Sequence, residues 1–228
     1  MDEAEATRIV HFYYLEPRPD RVVELTQFFV DSGAIAGLPV EGAVGRFFGK
    51  VSGLSVDAFA QGDGKLVAFF SEVMRRDPQL VDGLCALPLR EGVKRTLLAA
   101  AWRAGASRET LARHAPATSM RFVDALFALQ AGPVHLMDVT GPVALDILWA
   151  TFFASGDTRC VERIVQALAL LAHPEKSRPW ATGMSALWSL KSNAKQHEAV
   201  AAVVAAILPQ AKDEGFRALL EGILEGRA

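Results

Sequence analysis

The residues best able to carry chemistry are five histidines, His11, His114, His135, His173 and His197, and two cysteines, Cys85 and Cys160. No pair of histidines has the HxxxH or HExxH spacing that puts two ligands on one helical face, so a metal could be held only by tertiary approach and none is expected. No GxSxG string marks a nucleophile elbow. Gly62-Asp63-Gly64-Lys65 has the tail of a phosphate loop but lacks the earlier glycine, the following Ser or Thr and a preceding strand, so it reads as a turn and no cofactor is expected. Cys160 falls in the first turn of a helix opened by Asp157, where the macrodipole, Arg159 and Arg163 favour a thiolate. Its place beside the Ile164 and Leu168 stripe makes an inert thiol the preferred reading.

Six residues are candidates for binding a ligand or partner: Asp146, Trp149, Trp180, Trp188, Asn193 and His197. Asp146 sits near Trp149 at what reads as a helix start. There a carboxylate either complements the dipole, the favoured reading, or holds a cation against an indole face. Trp180 and Trp188 share a stripe with Met184 and Leu187, which predicts core packing. Asn193 and Gln196 have capping-box spacing, and together with Ser192 they predict a helix break there. His197 falls within the apolar arc of Val200, Val204 and Ile207. It reads as a buried packing histidine with a functional one as the alternative.

The elements that position these residues follow from a 3.6-residue apolar period restarting after prolines and glycines. Val40, Ala43, Val44, Phe47, Phe48 and Val51 form one stripe after Pro39, and Leu66, Phe69, Phe70, Val73 and Met74 form the next. Asp77 and Pro78 read as N-cap and first residue of a helix carrying Leu80, Val81, Leu84 and Cys85. Gly105 and Gly156 read as helix stops, and Ser107 and Asp157 as starts. Gly45, Gly49 and Gly53 make a small-residue face, read as surface glycine.

The pattern predicts an all-α protein of about ten to twelve short helices, antiparallel where connections are short, in an irregular bundle or α-solenoid-like stack. Two runs, residues 9–15 and 134–139, read as extended for their β-branched and aromatic content. The chain reads as one helical domain over 1–228, with residues 1–64 loosest for their glycine load and helical hairpins over 65–228.

Bulk properties narrow the function classes. The 228 residues are 51% apolar and 22% charged, which excludes disorder, and the formal charge of −2 leaves no field for nucleic acid. The longest charge-free runs, 125–137 and 199–211, are 13 residues each, too short for a transmembrane helix. An acidic first ten residues and cysteines in no framework spacing point to a cytoplasmic protein.

Two strings, LDILWATFFASGD over 145–157 and WSLKSNAKQH over 188–197, resemble a family of uncharacterised bacterial all-helical proteins. The resemblance implies a helical fold in a bacterial cytosol and carries no activity or site. The expected function is therefore a non-enzymatic helical scaffold that binds a protein or peptide partner or a copy of itself. The alternative is a small-molecule binder or hydrolase with a Trp/His-lined pocket between helices.

Overall fold

Twelve α-helices and five short 3-10 turns, with no strand, make up the described residues of the computed structural model, which are 1–34, 64–129 and 132–225. The stripe over 40–51, the Gly45/Gly49/Gly53 face and most of the glycine-rich stretch expected to be loose lie outside them. The helices are α1 (Glu3–Phe12), α2 (Val22–Asp31), α3 (Gly64–Arg76), α4 (Gln79–Ala86), α5 (Glu91–Ala104), α6 (Arg108–His114), α7 (Met120–Phe127), α8 (Pro142–Ser155), α9 (Thr158–Gln166), α10 (Arg178–Gln196), α11 (Glu198–Ile207) and α12 (Glu214–Leu224). The all-α reading holds.

Local chemistry sets most of the boundaries. The Asp2, Ser107, Asp157, Ser177 and Asp213 side chains each accept a backbone N–H in the first turn of the helix they precede. Asp77 Oδ1 accepts from the Gln79 N–H at 3.2 Å, so it caps α4 with Pro78 between. Gly105 and Gly156 end α5 and α8 with φ of +97° and +75°, a conformation that costs glycine little.

Neither run expected to be extended forms a strand. Residues 9–12 complete α1 and 13–15 turn out of it, because Asp2 nucleates the helix and Ala6, Ile9 and Tyr13 fall on one buried face. Burial on that face overrides strand propensity. In the second run Val134–Leu136 forms a 3-10 turn after Pro133, with Val134 and Met137 buried.

At the centre, α3 packs between α8 and α5, and α1 lies along α8. Helix α8 is apolar on all sides and is buried accordingly. The C-terminal helices build on it through α9, which meets α11, while α10 packs on the 3-10 turn Ala167–Ala172. One contiguous buried cluster runs from Ala6 to Ile223. None of the described helices is long and apolar enough to cross a membrane.

The face that α10 buries corrects the sequence reading. Thr182, Gly183, Ala186, Leu190, Asn193 and Ala194 face inward, while Trp180 is half-buried and Met184 and Trp188 are exposed. A Cβ on Gly183 would lie 2.9 Å from the Leu171 backbone nitrogen. The small side chains let α10 approach that turn closely, so the bulky stripe is displaced to the rim.

Candidate functional site

Helix α10 runs unbroken through Ser192 and Asn193, and the break predicted there falls at His197. Asn193 caps nothing with its side chain: its Nδ2 donates to the Ser189 carbonyl at 2.9 Å, and its own carbonyl accepts the His197 N–H at 2.8 Å. His197, with φ −125° and ψ 111°, ends α10, and its carbonyl accepts from Val200 and Ala201 to start α11. The side chain at this elbow is 1% exposed.

The His197 ring packs against aromatic rings of α1 and α8. Its ring centroid lies 4.9 Å from Phe12, 5.2 Å from Phe153 and 6.0 Å from His11. Nδ1 is 3.2 Å from the Tyr14 hydroxyl, and Nε2 has no hydrogen-bond partner among the described residues. Burial, then the neighbouring His11, pulls the pKa down to about 4, so the ring is neutral at physiological pH.

On the outer side of this cluster a cleft of about 830 Å³ opens between α1, α2, α3, α8 and α10. Its back wall is a column of rings: Trp149 stacks on Phe153 at 5.6 Å and 18°, and Phe153 stacks on His11 at 4.5 Å and 19°. The column exists because Trp149 and Phe153 are one turn apart on α8 and α1 lays His11 beside them. Burial also lowers the His11 pKa. Trp149 is almost fully buried, yet its indole N–H has no acceptor among the described residues.

Polar groups stand at the mouth. Asp146 is exposed, but enough protein surrounds it that lost hydration raises its carboxyl pKa, an effect Lys65 opposes. It occupies the second turn of α8, past the reach of the helix-end charge, so the helix-start role is not supported. Glu3 and Asn193 also line the cleft, and Trp188, 74% exposed, forms its outer lip.

Of the six candidates, Asp146, Trp149, Trp188 and Asn193 share this cleft, and His197 lies directly behind its back wall. Trp180 does not join them: it sits in the first turn of α10. The sequence reading did not bring His11, Phe153 or Lys65 into one site with the candidates. An extended assignment for 9–15 hid His11, although the 152–153 Phe pair was visible.

Cys85 and Cys160 are buried, and burial pushes each thiol up to about 12, which makes both inert. No group of three His, Cys, Asp or Glu side chains able to hold a metal occurs among the described residues. Comparison with protein-family profiles, curated proteins and solved structures finds no match.

Proposed function

We propose that the chain is a binding protein whose cleft takes a small ligand with an aromatic or cyclic apolar body and a basic nitrogen. The observation that carries this reading is the ring column Trp149, Phe153 and His11 set beside the Asp146 carboxylate. A flat apolar body stacks on such a wall, and an ammonium gains from a carboxylate and an indole face together. Two carboxylates, Glu3 and Asp146, face one ammonium, Lys65, so the cleft favours a cation. The Trp149 N–H, without an acceptor among the described residues, adds a donor for one acceptor atom.

Binding is a better account than turnover, since no Ser–His or Cys–His hydrogen bond occurs among the described residues to activate a nucleophile. The scaffold reading is the second one. It is favoured by Met184 and Trp188, exposed one turn apart on α10, which offer an apolar ridge to a partner helix. A bacterial cytoplasmic setting is part of the proposal, on the composition and the two motif strings.

Calorimetric titration with phenethylammonium, phenylacetate and phenethyl alcohol tests the ligand class. The ammonium should bind tightest, and Asp146→Asn should weaken it by about tenfold. Equal or tighter binding of the carboxylate, or no binding by any of the three, would contradict the reading.

A further inference from the structure

A second cleft, of about 630 Å³, lies on another side of α8 between α3, α5 and the start of α9, and its walls are polar. Three guanidiniums, Arg75, Arg103 and Arg159, line it against two carboxylates, Glu72 and Asp157. The carboxylates are already committed. Glu72 pairs with Arg75 one turn along α3. Asp157 takes a two-point contact from Arg159, at 2.8 and 2.9 Å, which holds its carboxyl below the usual range.

Arg103 makes no ion pair of its own among the described residues, and Glu72, whose charge favours its cation, is bonded to Arg75. Among the described residues its guanidinium makes one long hydrogen bond, 3.4 Å to the Gly132 carbonyl, although it carries five N–H donors. Among the described residues no carboxylate lies within ion-pair distance of it, and the neighbouring Arg75 spends one arm on the Arg103 backbone carbonyl at 2.8 Å. Desolvation and then the Arg75 charge act against the Arg103 cation, and the Glu72 charge offsets them only in part. Two cations held together by their own backbone, with spare donors facing a polar cleft, make a site for an anion. His135 lies on the same wall, with Nδ1 3.7 Å from Asp157.

We propose that this cleft binds a compact anionic group, a phosphoryl or carboxylate, between Arg103 and Arg75. The site is separate from the aromatic cleft, and neither proposal depends on the other. The anion takes the unused guanidinium donors of Arg103 as a fork and neutralises the like-charge pair.

The test is calorimetric titration of the full chain with inorganic phosphate and, in parallel, with acetate, chloride balancing the ionic strength. Saturable binding of either supports the site, and which of the two binds more tightly identifies the group. Arg103→Gln is expected to weaken that binding by about tenfold or more. Should that variant fail to fold, Arg75→Gln, which alters the more exposed guanidinium, is expected to weaken it as well. Absence of saturable binding by both anions, or binding unchanged in the folded variants, overturns the proposal.

Discussion

The Tyr14 hydroxyl and His197 Nδ1 lie 3.2 Å apart across 183 residues of sequence. The contact joins the exit of α1 to the elbow between α10 and α11. It is reinforced by the Tyr14 N–H, which donates to the Phe153 carbonyl at 2.9 Å. The N-terminal helix is thus tied to the end of α8 and to the C-terminal helices at one point, directly behind the aromatic cleft.

Replacing His197 with Ala should destabilise the protein by ~1–3 kcal/mol, through a cavity among Phe12, Phe152 and Phe153 and a stranded Tyr14 hydroxyl. Replacing it with Phe keeps the ring and removes the unpartnered Nε2, so that variant should lose less. Urea unfolding of both checks the order, and a more stable Ala variant would contradict the packing role.

The same histidine sets an acid limit. Its folded pKa of about 4 lies below the ordinary value of 6.5, so between those values the unfolded chain takes a proton that the folded chain refuses. Stability is therefore full above pH 6.5 and falls as the pH drops towards 4, by on the order of 2 kcal/mol. His11, also lowered by burial, acts in the same direction. Asp146, raised, acts weakly against it. Arginine-paired Asp157 adds a further loss as the pH falls through the ordinary carboxylate value and below it. His197→Phe should flatten most of the slope between pH 6.5 and 4, and an unchanged slope would refute the assignment.

Gly183→Ala should cost about 1–2 kcal/mol, although alanine is the better helix former by up to ~1 kcal/mol. The new methyl would meet the Leu171 backbone nitrogen at 2.9 Å, and a backbone atom cannot swing aside. A neutral or stabilising effect in thermal unfolding would disprove the close approach of α10 to the Ala167–Ala172 turn.

How far the sequence reveals this arrangement depends on which physical signal each element carries. Helix starts and stops at Ser107, Gly105, Gly156 and Asp157 are local chemistry, and they were readable because a cap needs only its own neighbours. The burial of His197 was also legible from its place in the apolar arc, but its partners in α1 and α8 were not. Those contacts arise from tertiary approach.

Where the reading failed, burial followed shape rather than hydrophobicity. On α10 the small residues Gly183, Ala186 and Ala194 are inside because they allow contact at short range, while Trp188, the larger hydrophobe, remains at the rim. In 9–15 the aromatic content suggested a strand, and only the Asp2 cap with the Ala6, Ile9 and Tyr13 spacing argued for helix. The place of His11 beside α8 was lost with that assignment, and with it one of the three rings of the column.

The claim that the aromatic cleft is a ligand site rests on the ring column of Trp149, Phe153 and His11 beside Asp146, and the Trp149 indole N–H, without an acceptor among the described residues, reports on it. The direct measurement is the 1H–15N spectrum of the four tryptophan indoles, assigned by single Trp→Phe substitutions, during titration with phenethylammonium. The account predicts that the Trp149 Nε1–H resonance shifts with saturation, that Trp188 at the lip follows it, and that Trp180 stays in place. Saturating binding that leaves Trp149 unmoved, or movement of Trp180 alone, would contradict it.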